Sequence, residues 1–435
     1  MEGRVRAATP GSKRLAVIGA GWAGLATAVG AVQRGYRVSV FEMADHPGGR
    51  ARSMSHAIGW RDNGQHLLIG AYSSCLSLMQ TVGVDTQAVL LRQALRLVDP
   101  QGQGLVFPHG PAVWAFSSAV LRHPQWSWAE KFALLGWAGR QALRGFRCHE
   151  HETVEQLCTG WSSRLRRELI DPLCIAALNT APQFASGRVF LKVLADSFFA
   201  GAGALDLLIP RRPLNELLPA PATRWLQAQG VSFHWRHRVR RVSVALPDMG
   251  NWCVDGANFD QVVLACPAWE AARLAMPHAP EWSKVAQAQE FDPIATVVVD
   301  APGARLAAPM VCLRGGPAQF AFDHGQLGGP PGRLVLVISD AALSLGAGVE
   351  ALAQAALGQA RDQLCTSLAK SSMHVVSVLA EKRATFRAQA GRQVPPARLM
   401  PSLWAVGDYV FAPYPSTLEA AVRSAQVVTA QLPPV

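Results

Sequence analysis

The chain has 435 residues, half of them hydrophobic and 16% charged, enough apolar content for a large core. Its formal charge of +11 (41 basic against 30 acidic side chains) suits a phosphate-rich ligand or an anionic lipid surface, although scattered arginines in an Arg-rich composition give the same figure. No basic run is interleaved with aromatics, which argues against nucleic acid as a partner, and the eight cysteines show neither a Cys-x-x-Cys pair nor zinc spacing, so free thiols in a reducing compartment and no metal are expected.

Residues 1–13 read as a loose polar tail without the apolar core and cleavage site of a signal peptide, so a cytoplasmic location is expected. Residues 15–33 carry no charge, but Gly19, Gly21, Gly24 and Gly30 punctuate the run in a pattern that a membrane span does not need. "RLAVIG" predicts a strand, "WAGLATAVGAVQRG" a helix ending at Gly35, and "YRVSVFE" a second strand. Strand, glycine turn, helix and strand in this order form a βαβ unit.

Within that unit Gly19-x-Gly21-x-x-Gly24 is a dinucleotide fingerprint. Gly19 permits the tight turn, Gly21 lets backbone approach a diphosphate, and Gly24 lets the helix pack against the strand. The helix N-terminus offers free N–H groups to the phosphates. Glu42, closing the second strand, is placed to accept from both ribose hydroxyls and would repel a 2′-phosphate, so FAD or NAD is expected and NADP is not.

Extended segments are expected over 52–70, with turns at "IGWRDNG", and a hairpin over 95–107 around "DPQGQG". From about 112 to 200 the pattern is mostly helical, with Thr153 and Gln156 spaced as a capping box. Strand signals return in "VSFHW", "VRRVSV", "NWCVDG" and "QVVLAC", then a helical stretch over 267–290. "IATVVVD" and "RLVLVIS" read as strands, 349–371 as an amphipathic helix, "LWAVGD" as a late strand, and "STLEAAVRSAQVVTAQL" as a final helix with Ser416 as its N-cap. The expected fold is α/β: a Rossmann-like domain built from discontinuous segments, with an α+β substrate domain inserted.

Gly48-Gly49-Arg50 follows the ribose acid closely and brings a guanidinium toward the diphosphate, an element that NAD dehydrogenases do not usually carry. Together with "LWAVGDYVFAPYPSTLEAAVRSAQ" it resembles the amine oxidase and phytoene desaturase superfamily of flavoproteins. The resemblance implies FAD as cofactor, in a GR2-type domain made of residues 1–75, 213–290 and 391–435, with a mostly helical segment at 76–212 and a sheet and helix at 291–390. It implies that Gly49 and Arg50 meet the diphosphate, that Gly407 and Asp408 meet the ribityl or phosphate region, that the helix start at Thr417 and Leu418 faces the flavin pyrimidine, and that the backbone of Val239 meets the adenine.

Within the superfamily, "DNGQHLLIGAY" (62–72), "PLCIAALNTAP" (172–182) and the C-terminal motif resemble the squalene-associated flavoenzymes of hopanoid-producing bacteria. This implies reduction of the allylic alcohol hydroxysqualene to squalene: protonation of the hydroxyl, departure of water, and hydride quenching of an allylic cation in a dry site. Asp62, Gln65 and His66 are the candidate catalytic residues, His66 or Asp62 as proton donor and Gln65 as orienting group; each also suits a plain turn. Tyr409 and Tyr414 are candidates for lining the cavity.

A lipophilic isoprenoid substrate would arrive from a membrane, and residues 112–147 combine Trp114, Trp126, Trp128 and Trp137 with five basic side chains, as an interfacial helix does. Peripheral contact with the inner membrane surface is therefore expected there, against the simpler reading of core tryptophans beneath a solvated basic face. No second dinucleotide fingerprint occurs, so the reductant that reloads the flavin is left open. An FAD-dependent carotenoid (phytoene-type) desaturase or amine oxidase of the same fold, and a flavin-fold lipid carrier without catalysis, are the competing readings; the intact fingerprint with Glu42 and Arg50 argues against the carrier.

Overall fold

The computed structural model describes residues 12–56, 59–199, 201–245, 251–364 and 372–435. Most of the expected N-terminal tail, residue 58 of the expected 58–64 turn, Cys365 and residues 365–371 of the helix expected over 349–371 lie outside them.

The strand Arg14–Ile18 sits at the centre of a six-stranded sheet ordered Ser232–His234, Arg37–Phe41, Arg14–Ile18, Gln261–Leu264, Leu403–Ala405, Arg398–Met400. All neighbours are parallel except the last pair. A parallel sheet is covered on both faces, so its strands are apolar throughout rather than alternating. Leu15 and Val17 enter one core with the helices Trp22–Gln33 and Leu418–Gln431, while Ala16 and Ile18 enter another with the antiparallel meander Val242–Val244, Trp252–Val254, Ala257–Phe259 and the helices Ala268–Ala275 and Pro280–Gln287. The first and last helices lie against each other at Gly30, where a Cβ would come within 3.1 Å of the Thr429 hydroxyl.

A second, antiparallel sheet is ordered Met310–Cys312, Phe320–Asp323, Arg333–Ile338, Phe291–Asp300, His374–Phe386. Alternation along its central strand divides it: Ala295, Val297 and Val299 pack with the helix Val349–Gln363, while Ile294 and Val298 face the other way, with Phe320, Phe322, Val335 and Val337. That second face meets Leu207 and Ile209 of the strand Leu207–Pro210, with Leu67 and with Ile69 of the short strand Leu68–Ile69. His374–Phe386 runs 13 residues and was not expected as a strand, since Glu381, Lys382 and Arg383 break its apolar pattern.

The helical stretch contains Ala112–Arg122, Trp128–Leu143 and Gly187–Phe199, with complete capping boxes at Ser127/Glu130 and Thr153/Gln156. No described helix is long and apolar enough to cross a membrane. The expected N-cap of the last helix is corrected: Thr417 caps it, accepting from the Ala420 N–H at 3.1 Å, because the Ser416 hydroxyl is engaged by Asp408.

Candidate active site

Gly19 takes φ +115°, and a Cβ there would lie 2.7 Å from the Ala265 carbonyl oxygen. At Gly24 a Cβ would be driven into the Gly19 carbonyl. Gly21 differs: its φ of −73° suits any residue, and the nearest atom to an added Cβ would be Gly49 Cα at 3.8 Å. Gly49 (φ +61°) faces it, its own Cβ position 3.2 Å from Gly21 Cα. Two bare backbones thus flank the start of the helix Trp22–Gln33, whose N-cap Gly21 provides no side-chain cap. The free N–H groups and the groove suit a diphosphate.

Glu42 accepts from the Ala20 N–H (2.7 Å) and the Ala44 N–H (2.8 Å), one on each carboxylate oxygen, which leaves lone pairs for two sugar hydroxyls. The Val239 carbonyl accepts from Arg273 at 2.7 Å, and Glu270 holds Arg273 and Arg238; those two cations draw the Glu270 carboxyl down to about 2.

Arg50 joins the two ends of the chain. Its Nη2 donates to Asp408 at 2.6 Å and its Nη1 to the Ala384 carbonyl at 2.9 Å. The Ser416 hydroxyl donates to the other Asp408 oxygen, and the Gly407 N–H donates to Ser424 at 2.8 Å. At Gly407 (φ +144°) a Cβ would press on the Tyr409 ring at 2.9 Å. The Tyr409 hydroxyl is buried and has no partner among the described residues, an orphan donor that a bound group would satisfy, and burial pushes its pKa well up.

The three catalytic candidates share one loop but not one environment. Asp62 accepts from Ser53 (2.5 Å) and from the Leu214 N–H (3.1 Å), and burial lifts its carboxyl to about 6. Asn63 donates to the Arg50 carbonyl at 2.8 Å, tying the loop to the segment that follows Gly49. Gly64 lies over Thr296 on the second sheet. Gln65 contacts His324 at 3.1 Å, and His66 Nδ1 contacts the Gly64 carbonyl at 3.1 Å. Burial and then the Arg50 charge lower the His66 pKa, so its ring is neutral at pH 7. Among the described residues no group of three or more His, Cys, Asp or Glu side chains could hold a metal ion.

The family described as flavin containing amine oxidoreductase matches residues 22–432. The chain belongs to this family. A flavin held through a dinucleotide cradle is FAD, and the residues present fit it: paired bare glycines for the diphosphate, a carboxylate with free lone pairs, and an orphaned hydroxyl. The chain is 28% identical over 425 residues to a hydroxysqualene dehydroxylase of Zymomonas mobilis, covering 94% of this chain and 96% of that protein. It is 26% identical to a hydroxysqualene dehydroxylase of Sinorhizobium fredii, covering 95% and 96%. Among solved structures, an oxidoreductase from Methanosarcina mazei superposes with a TM-score of 0.73 at 14% identity, covering 96% of this chain and all of that one.

In this flavin-containing amine oxidoreductase several site residues carried no sequence signal. His324, in the short 3-10 turn after the strand Phe320–Asp323, and Glu381, on the strand His374–Phe386, reach the 63–66 loop from 259 and 318 residues away. Glu419, fully buried, accepts from the Ser74 and Cys75 N–H groups and from Arg423. A first-turn glutamate normally reads as a solvated dipole partner, so only the fold reveals this one.

Proposed function

We propose that this chain is an FAD-dependent hydroxysqualene dehydroxylase that reduces the allylic alcohol to squalene, in hopanoid or squalene biosynthesis. The near full-length likeness to hydroxysqualene dehydroxylases carries this reading. The apolar surroundings support it chemically: Ile294 and Val298 of the second sheet, with Leu67 and Ile69, are half-buried hydrophobic residues beside the polar 62–66 loop, the mixture that a hydrocarbon with a single hydroxyl requires.

Gly19, Gly21, Gly24 and Gly49 shape the FAD groove, Glu42 takes the ribose, and Arg50 with Asp408 and Gly407 takes the diphosphate and ribityl region. Val239 meets the adenine, and the helix start at Thr417 and Leu418 faces the flavin pyrimidine. Reduced FAD, when bound, supplies a hydride. The protein supplies the proton and the dry site: the substrate gains one proton and one hydride and loses water. Asp62, with its carboxyl near 6, suits proton donation better than His66, whose neutral ring has its proton engaged by Gly64. A general acid must be protonated to act, so kcat should fall as pH rises through about 6. Asp62→Asn should lower kcat roughly a hundredfold or more with FAD still bound; a parent-like rate would remove Asp62 from the chemistry. The reading itself is tested by mixing chemically reduced enzyme with hydroxysqualene without oxygen. Squalene and reoxidised flavin are expected, and reduced flavin that stays reduced would refute it.

The substrate comes from the cytoplasmic face of the membrane, where residues 112–147 dock. Trp126 and Trp137 are core residues, so docking rests on Trp114, Trp128, Phe132 and Leu143, all exposed, with Arg122, Arg140, Arg144 and Arg147 around them. Replacing Trp128 and Phe132 by Ser should abolish flotation with anionic liposomes while leaving flavin content unchanged; undiminished flotation would count against docking.

A further inference from the structure

The 64–66 loop admits one donor–acceptor assignment. The Gly64 carbonyl can only accept, so His66 Nδ1, 3.1 Å away, carries the ring proton. The His66 carbonyl can only accept as well, so the Gln65 amide nitrogen faces it at 3.2 Å, which turns Gln65 Oε1 toward His324 Nε2 at 3.1 Å. An amide oxygen cannot donate, so His324 donates from Nε2. His324 is itself held neutral, its pKa lowered to about 4 first by burial and then by Arg333, against a smaller opposing effect of Asp323. His66 is left with a bare Nε2 lone pair, and the residue is half-buried. Arg50 is the charged group that acts on it.

We propose that His66 receives the substrate hydroxyl at Nε2 as a hydrogen-bond acceptor, and that His324 is a positioning residue that sets this loop through Gln65. The proposal rests on the dehydroxylase reading above. With its hydrogen directed at His66, the hydroxyl keeps its oxygen lone pairs free for the proton of the general acid. The C–O bond would then break, both bonding electrons leaving with water, and positive charge would spread over the allylic carbons, to be quenched by the hydride that reduced FAD would supply when bound. A neutral imidazole with its lone pair inward does not repel that charge, whereas an imidazolium would. His324 has no contact with the reacting atoms. It fixes which way the Gln65 amide points, and that amide fixes the carbonyl of His66.

The test uses FAD-loaded protein with 15N-labelled histidine at pH 7, the His66 signals being assigned by their loss in His66→Gln. The expected result is a single neutral His66 tautomer, protonated at Nδ1, before any substrate is added. His324→Leu should split the His66 signal between tautomers and lower kcat/KM for hydroxysqualene about tenfold, the scale of one hydrogen bond. His324→Gln, whose amide can still donate to Gln65, should restore both. His66 found as imidazolium or protonated at Nε2 in a parent enzyme that makes squalene overturns this assignment alone. So does a His324→Leu protein with unchanged His66 signals and parent kcat/KM. A parent that makes no squalene overturns the dehydroxylase reading and this assignment with it.

Discussion

Gly21→Ala protein is expected to fold at the parent melting temperature and to purify nearly colourless. The position is extended backbone at φ −73°, so alanine introduces no strain, and the added methyl would make ordinary contact with Gly49 Cα at 3.8 Å. Nothing in the protein objects to it. The methyl fills the groove between Gly21 and Gly49, however, and holds the diphosphate off the N–H groups of the first helical turn. Charge-assisted hydrogen bonds of this kind contribute about 1.5–3 kcal/mol each, so losing one or two lowers FAD affinity roughly a hundredfold. Gly24→Ala should behave oppositely, failing to fold, because its Cβ collides with the backbone of the turn itself. Flavin absorbance of the purified protein and a thermal melt separate the two outcomes. A yellow Gly21→Ala protein with parent affinity would show that the groove is not where the diphosphate lies.

The second large effect is on stability. Glu419 is fully buried at the start of the last helix and ends three hydrogen bonds: from the Ser74 and Cys75 N–H groups at 3.0 and 2.9 Å, and from Arg423 at 2.7 Å. The first two are otherwise unsatisfied donors at the start of the helix Ser73–Thr81. Glu419→Ala strands both N–H groups and leaves Arg423 with only Asp196, at 3.4 Å, as a carboxylate partner among the described residues. Breaking a buried pair from one side costs about 3–5 kcal/mol, which for a chain of 435 residues lowers Tm by roughly 3–6 °C. Glu419→Gln, which keeps one acceptor oxygen, should lose less than half as much. A melt that places both variants within a degree of the parent would contradict this account.

The nucleotide half was legible because its glycines are forced. Gly19 and Gly24 are dictated by collisions with backbone, and such collisions leave a spacing that can be read without coordinates. The parallel strands were legible for a related reason: sheets covered on both faces have unbroken apolar runs such as "RLAVI" and "QVVL". His374–Phe386 was not, because it borders polar loops, with Ala384 accepting from Arg50 and Glu381 accepting from Asn63. A strand that lines a polar site loses the alternation by which strands are recognised. The same limit applied to the 112–147 tryptophans. Trp126 and Trp128 are two residues apart, yet one donates to Glu168 inside the core and the other stands 63% exposed, stacked on Phe132. Trp126 lies in the connection between two helices and Trp128 opens the second, and composition does not record that boundary.

The contact between Arg50 and Asp408 spans 358 residues of chain. A ribosome emitting this protein therefore exposes the fingerprint glycines long before their counterpart exists, and the groove gains its far wall only after residue 408 has emerged. Long-separated pairings of this kind fold slowly and are vulnerable to misassembly while they wait. With FAD placed as proposed, its capture falls among the last events in the birth of the molecule, and an N-terminal fragment stopping short of the final strand and helix would be a vessel with one side missing.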